Sequence, residues 1–190
     1  MSKLFIGLMS GTSADSVDTV LLSVSEEKIK SLGTYTHPIP DKVKNSIYES
    51  VNSQNLDKNK INKLDMVLAE IFSEAVNALL TQECLKSQDV EALGSHGQTI
   101  KHSPNLPAPF SLQIGNAELL ANSTGIKTVS DFRSDDISAG GQGAPITPIF
   151  NEYAFSSNSK RVIINIGGIA NVTSLENKIQ TIGYDTGPGN

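Results

Sequence analysis

Gly7-Leu8-Met9-Ser10-Gly11-Thr12-Ser13-Ala14-Asp15-Ser16-Val17-Asp18 joins two apolar runs, Leu4-Phe5-Ile6 before it and Val17 with Val20-Leu21-Leu22 after it. Two β-like runs joined by a short glycine-bearing loop read as a hairpin. Glycine lets backbone N–H groups wrap an anion, and the hydroxyls of Ser10, Thr12, Ser13 and Ser16 add donors. Asp15 and Asp18 repel phosphate directly, but they suit a hydrated Mg²⁺, which keeps most of its waters. The stretch therefore reads as a phosphate-cradling hairpin carrying its own metal carboxylates. The competing reading is an ordinary surface turn, since Gly, Ser, Thr and Asp are what turns are made of. No Gly-Lys-Ser/Thr follows and there is no Gly-x-Gly-x-x-Gly, so neither of the common nucleotide fingerprints applies.

Outward from the hairpin, residues 3–9, 17–24 and 29–37 alternate and are rich in Val, Ile, Leu, Thr and Tyr. They predict three consecutive antiparallel strands, with Glu26-Glu27-Lys28 turning between the second and third. Pro38 and Pro40 close the third strand. A short helix is expected from Asp41 (Val43, Ile47, Val51), then a polar loop from Asn52 to Asn59. Ile61, Leu64, Leu68, Ile71, Phe72, Ala75 and Leu79 recur at three- and four-residue steps, the apolar stripe of a long helix. Val90, Ala92 and Leu93 predict a buried strand that leads into Gly94-Ser95-His96-Gly97-Gln98-Thr99. Phe110, Leu112 and Ile114 alternate as another strand, and a helix over 116–124 stops at Gly125, a suitable residue just past a helix end. Ile126 to Val129 form a strand delivering Asp131-Phe132-Arg133.

After the glycine-rich loop Ala139-Gly140-Gly141-Gln142-Gly143-Ala144-Pro145 comes an apolar segment, 146–155, read as helical. The character of the opening then returns. Arg161 to Ile166 is an apolar strand, Gly167-Gly168-Ile169-Ala170-Asn171 a second glycine turn, and Val172 to Leu175 a returning strand. Ile179 to Tyr184 reads as the third strand, ending in Asp185-Thr186-Gly187-Pro188-Gly189-Asn190. This is a duplication of architecture rather than of residues, with a boundary in the region 126–145. The expected domains are 1–130 and 131–190. A last meander with nothing after it has no layer over its apolar face, so the chain is expected to be a fragment or to receive that layer from elsewhere.

Composition narrows the partners. The 190 residues carry a net charge of −5 and no basic cluster, which argues against nucleic acid and anionic membrane surfaces. Cys84 is the single cysteine, so there is no disulfide framework and a reducing compartment fits. No segment approaches the ~18 apolar residues of a membrane span. The expected location is the cytoplasm.

Seven motifs stand in series: Met9-Ser10-Gly11-Thr12-Ser13-x-Asp15-x-x-Asp18, Ser95-His96-Gly97-Gln98-Thr99, Gln113-Ile114-Gly115-Asn116, Asp131-Phe132-Arg133, Gly140-Gly141-Gln142-Gly143-Ala144-Pro145, Asn165-Ile166-Gly167-Gly168-x-x-Asn171 and Asp185-x-Gly187-Pro188-Gly189-Asn190. In this order and spread over the whole chain they resemble anhydro-N-acetylmuramic acid kinase, a family of the actin/hexokinase/Hsp70-like kinases. The resemblance implies an α/β, ribonuclease H-like actin/hexokinase-type ATPase fold: a complete first domain and the opening meander of a second. It implies a sugar kinase that uses ATP to phosphorylate O6 of 1,6-anhydro-N-acetylmuramic acid while water opens the anhydro bridge, in cell-wall recycling. The family usually has Gly where this chain has Ser16. Should that position need φ > 0, serine would strain the loop by about 1 kcal/mol. Family members also continue well past the last motif, and that continuation includes their adenosine-binding segment.

By this resemblance Gly11, Thr12, Ser13, Ala14, Asp15, Ser16, Val17 and Asp18 hold the ATP phosphates, with Mg held through water at Asp15 and Asp18. Gly167, Gly168 and Asn171 clasp the phosphates from the second half. Asp185 matches the catalytic aspartate, a base for water at the anomeric carbon; the acid of an ordinary glycosidase is unnecessary when the leaving oxygen is captured by a phosphoryl group. Without the resemblance, Asp185 reads as a turn or helix-capping aspartate. Arg133 suits a bidentate contact with the lactyl carboxylate of a muramic acid, against a structural ion pair with Asp131, Asp135 or Asp136. Ser95, His96, Gln98, Gln113 and Asn116 are candidate sugar hydrogen-bonders. Ser95 and His96 as neighbours on a strand point to opposite faces, which disfavours a hydrolase dyad, and His96 with His102 lacks a third metal ligand. His37 reads as a strand residue and Asp135-Asp136 as a solvated turn. The expected partners are the anhydro amino sugar and ATP, with a homodimer left open. The rival classes are a non-catalytic sugar- or nucleotide-binding module and a carbamoyl- or acyl-phosphate enzyme.

Overall fold

The computed structural model describes every residue except 1, 27, 106, 177–179 and 190. Glu27 of the expected turn, Ile179 of the expected last strand and Asn190 of the last motif thus lie outside the described residues. The chain divides into two compact units, Met1–His102 with Ser111–Asp131, and Ser103–Phe110 with Phe132–Asn190.

The first unit opens with β1 (Lys3–Ser10), β2 (Ser16–Val24) and β3 (Ile29–Pro38), an antiparallel meander. Two helices follow, α1 (Asp41–Asn52) and α2 (Lys58–Gln82), and the chain returns as β4 (Ala92–Ser103), parallel to β1. β5 (Phe110–Ile114), α3 (Ala117–Thr124) and β6 (Thr128–Val129) complete the unit, with β6 parallel to β4. The sheet order is β3-β2-β1-β4-β5, and β6 also pairs with β4. Three antiparallel strands followed by parallel partners on the far side of β1 is the ribonuclease H-like arrangement.

Helix α2 forms because its apolar residues keep a 3.6-residue period and Asp57 caps its start, accepting from the N–H groups of Asn59 (2.9 Å) and Lys60 (3.3 Å). Leu64, Leu68, Ile71, Phe72, Ala75, Val76 and Leu79 of that stripe are buried in one core with Ile6, Leu8, Val17, Leu21 and Leu93 of the sheet. Full burial of such a side chain contributes about 1.5–3 kcal/mol. α3 starts at Asn116 and stops at Gly125, whose φ of 69° is left-handed, as expected for a residue just past a helix end.

β4 departs from expectation. The sequence suggested a strand at Val90 to Leu93 leading into Gly94–Thr99, and β4 in fact starts at Ala92 and continues through that motif to Ser103. A bulge at Gly97 (φ 74°) carries the strand past its glycines, and a Cβ there would stand 2.7 Å from the Ile114 carbonyl oxygen.

The second unit contains α4 (Phe132–Ser138), α5 (Thr147–Phe155) and the meander β7 (Arg161–Ile166), β8 (Ile169–Glu176), β9 (Gln180–Pro188), in the order β7-β8-β9. Asp135 and Asp136, read from sequence as a solvated turn, lie in α4. The second glycine turn is shorter than expected, because Ile169, Ala170 and Asn171 already belong to β8. β9 continues past Tyr184 through Asp185 to Pro188, because Asp185 pairs with Asn171 and Pro188 closes the strand opposite Ile169. α5 packs on one face of this sheet, where Asn151 donates to Thr173 Oγ1 at 2.9 Å and Pro148 fills the space above Gly183. The opposite face carries Val162, Ile164, Ile166, Ile182 and Tyr184, all exposed.

Candidate active site

The first hairpin is the five-residue turn Gly11–Asp15. Ala14 N–H donates to the Gly11 carbonyl at 3.1 Å, closing the turn, and Ala14 itself is fully buried with φ 46°. Its backbone is tied from outside at two further points. Tyr48 Oη of α1 donates to the Ser13 carbonyl (2.7 Å), and Ile39 N–H donates to the Asp15 carbonyl (2.9 Å). The left-handed residue is therefore Ala14, not Ser16, which lies in β2 opposite Pro38. The strain anticipated at Ser16 is absent because that position is extended strand.

Asp15 is exposed, and its carboxyl is held below its ordinary value of 3.8, chiefly by the Ser13 hydroxyl donating at 2.6 Å and by backbone N–H groups, with Lys44 nearby. Asp18 is exposed on β2 and accepts from Thr36 Oγ1 at 2.8 Å. Among the described residues no three His, Cys, Asp or Glu side chains gather as a metal cluster. An ionised exposed carboxylate beside a hydroxyl, without a closed ligand set, fits a magnesium ion that keeps its water shell and does not fit a directly ligated one.

The β4 motif divides between two faces. Leu8 pairs with Ser95 and Ser10 with Gln98, so both residues lie on the core side of the sheet, and both are buried. Gln98 Oε1 accepts from Ser10 Oγ at 2.6 Å and its amide donates to the Thr99 carbonyl at 3.2 Å. The expected sugar contacts at Ser95 and Gln98 are thereby corrected: a ligand cannot reach side chains packed inside the core. His96 is half-buried, its Nδ1 3.1 Å from the Gly97 carbonyl oxygen. Gln113 donates through Nε2 to Ser111 Oγ (2.8 Å) and Thr99 Oγ1 (3.3 Å), while Ser111 also meets His102 Nδ1 at 3.0 Å. Asn116 is engaged at both ends of its amide. It caps α3 through Leu119 N–H (2.9 Å) and donates to Asp65 Oδ2 (3.0 Å). Asp65, which also accepts from Gly115 N–H at 2.8 Å, organises this corner and was missed by sequence reading. Its only signal was an acid on the buried side of the α2 stripe.

In the second unit, strand pairing sets Asn165, Asn171 and Asp185 side by side across β7, β8 and β9. They lie at the end of the sheet where the Gly167–Gly168 turn connects β7 to β8. Gly189 N–H donates to the Gly168 carbonyl at 3.0 Å, and a Cβ on Gly189 would collide with the carbonyl of Gly167. Only glycine permits that approach. Asp185 is exposed. Arg133, in the first turn of α4, is half-buried. Burial lowers its pKa, the negative charge of Asp185 opposes that shift, and the guanidinium stays protonated. Asp136 accepts from Gly143 N–H at 2.7 Å and so braces the glycine-rich loop.

The structure thus gathers Gly11 to Asp18 in one unit, and Gly167, Gly168, Asn171, Asp185 and Arg133 in the other. Asn165 joins the second set, a residue to which sequence reading gave no role. A cavity of about 650 Å³ between α1 and α2, lined by Val43, Leu56, Ile61, Leu64 and lysines, contains none of the expected site residues.

A ribonuclease H-like sheet whose first hairpin is a glycine–hydroxyl turn, with a second glycine hairpin beside an exposed aspartate, has the layout of the actin/hexokinase-like kinases. The model of the anhydro-N-acetylmuramic acid kinase family matches residues 3–190, and the chain belongs to that family. Anhydro-N-acetylmuramic acid kinases of Shewanella sp. (strain ANA-3) and Shewanella denitrificans are 45% and 46% identical to it over 188 residues, 98% of this chain and 51% of theirs. The chain spans about half the length of the curated relatives it matches. Among solved structures, a reductive activator for corrinoid, iron-sulfur protein superposes with a TM-score of 0.51 at 17% identity, covering 98% of this chain and 31% of that one, a likeness of fold. No helix among the described residues is long and apolar enough to cross a membrane.

Proposed function

We propose that the protein takes part in ATP-dependent phosphorylation of 1,6-anhydro-N-acetylmuramic acid with hydrolytic opening of the anhydro ring, giving N-acetylmuramic acid 6-phosphate in cytoplasmic cell-wall recycling. The observation that carries this reading is the exposed carboxylate of Asp185 in line with Asn171, beside the Gly167–Gly168 turn and within the field of Arg133. Asp185 takes a proton from water as its oxygen bonds to the anomeric carbon. The bond from that carbon to O6 breaks, and O6 bonds to the γ-phosphorus as the bond to the β-phosphate oxygen is released. The freed alkoxide needs no acid, because phosphorus takes its electron pair.

Phosphoryl transfer depends mainly on positioning and charge neutralisation. In this reading Gly11 to Asp18, in residues 1–130, and Gly167, Gly168 and Asn171, in residues 131–190, are the phosphate-binding residues. Asp15 and Asp18 would hold a hydrated magnesium ion, which would supply neutralising charge. Arg133 pairs with the lactyl carboxylate of the sugar, and His96 and Gln113 remain as sugar contacts. Both residues are only partly buried, whereas Ser95 and Gln98 are fully buried. Ser95, Gln98 and Asn116 leave the contact set.

Isothermal titration with the anhydro sugar and with Mg·ATP tests the reading. Saturable binding of both, with sugar binding weakened at least tenfold in Arg133→Ala, supports it. Sugar affinity unchanged in that variant refutes the carboxylate contact, and no binding of either ligand refutes the assignment.

A further inference from the structure

Gln98 is buried, so it does a different task from the sugar contact its motif suggested. β1 and β4 run in parallel register at Leu8 and Ser95, and two residues later Ser10 stands opposite Gln98, not Gly97. The extra residue of the Gly97 bulge is what turns the Gln98 side chain onto the face that carries Ser10. There Ser10 Oγ donates to Gln98 Oε1 at 2.6 Å, both residues being 2% exposed. Ser10 is the last residue of β1, and Gly11 opens the turn proposed to receive phosphate. The turn's other two ties, from Tyr48 to the Ser13 carbonyl and from Ile39 to the Asp15 carbonyl, hold its middle and its exit. No other side-chain bond described in the structure fixes its entrance.

We propose that Ser10 and Gln98 form a buried clamp that positions the phosphate-binding hairpin, making Gln98 a positioning residue for nucleotide and not a sugar ligand. The hydroxyl of Ser10 points into the core, so it fixes the strand end from behind and leaves the backbone of Gly11–Ser13 to face a ligand. Within a pair this buried, removing either member leaves the other unsatisfied. The inference rests on the phosphate reading of the hairpin.

The test uses Ser10→Ala, Gln98→Leu, the double variant and the conservative Ser10→Thr. Amide hydrogen exchange over residues 11–15 is monitored in the ligand-free protein, and Mg·ATP and the anhydro sugar are titrated separately. Both single variants should exchange faster over 11–15 and bind Mg·ATP about tenfold more weakly, with sugar affinity held within about twofold. The double variant should be no worse than the weaker single, and Ser10→Thr, which keeps the hydroxyl and tolerates the strand, should recover most of the loss. Unchanged exchange over 11–15 overturns the clamp, as does additivity of the two losses. A sugar-affinity loss confined to Gln98→Leu overturns it in favour of a sugar contact. Wild-type protein that fails to bind Mg·ATP, with exchange still faster in the variants, removes the phosphate reading and upholds the clamp. If Gln98→Leu does not fold, the contrast between Ser10→Ala and Ser10→Thr decides by itself.

Discussion

The turn between β1 and β2 and the turn between β7 and β8 both leave an apolar strand through glycine and both return into an antiparallel partner. Their surroundings differ. The first is a five-residue turn in which Ala14 is buried, and side chains and backbone from β4, α1 and the β3–α1 junction hold it in place. The second is two glycines wide and held mainly by the approach of Gly189 to Gly168. Its strand β7 presents Ile164 and Ile166 at 63% and 68% exposure. Glycine serves a different purpose in each. In the first it begins a turn that the Ala14 N–H closes onto the Gly11 carbonyl, and in the second it lets two backbones approach closely beside a carboxylate. One hairpin is made precise by its ties, the other by lack of side-chain bulk.

The sharpest way to separate the two is Asp185→Asn. On the proposed reading this removes the base, so turnover should fall about 10²–10⁴-fold in a coupled kinase assay while Mg·ATP and sugar affinity stay within about tenfold. Near-normal turnover would exclude the role given to Asp185. Next comes the contrast in burial. Phe72→Ala, beneath the first unit's sheet, should cost about 3–5 kcal/mol in urea unfolding. Ile164→Ala on the open face of β7 should stay within about 0.5 kcal/mol. Equal losses would mean that the β7 face is covered in solution.

A smaller effect is expected from Tyr48→Phe, which deletes one tie of the first turn; about 1 kcal/mol of stability should go, along with some Mg·ATP affinity. The smallest concerns Asp15. Its folded pKa is depressed, so its ionised form contributes stability that is present above the ordinary value of 3.8 and lost as pH falls through the lower folded value. Urea midpoints of wild type and Asp15→Asn should therefore differ near pH 6 and converge in strong acid. A difference that grows with acidity would contradict the depressed pKa.

Much of this was legible along the chain. The α2 stripe, the two meanders and the glycine hairpins announced themselves through period and composition, because those signals are local. The run Ser95–Thr99 misled for a physical reason. Glycine and hydroxyl residues look like loop, yet a bulge lets a strand carry them, and no local signal tells which face Gln98 then takes. Asn116 looked like a ligand group and is an N-cap fixed by Asp65, 51 residues away in sequence. Arg133 was weighed against the acids beside it, and the charge it feels from Asp185 comes from a distant strand of its unit.

The sequence by itself determined the order of elements, the glycine turns and the family, since each is written in residues close together along the chain. Only the tertiary structure decided which polar side chains are buried and which are offered to a ligand. That choice depends on strand register and on the helix lying over the sheet. A single inserted residue at Gly97 is enough to turn Gln98 inward.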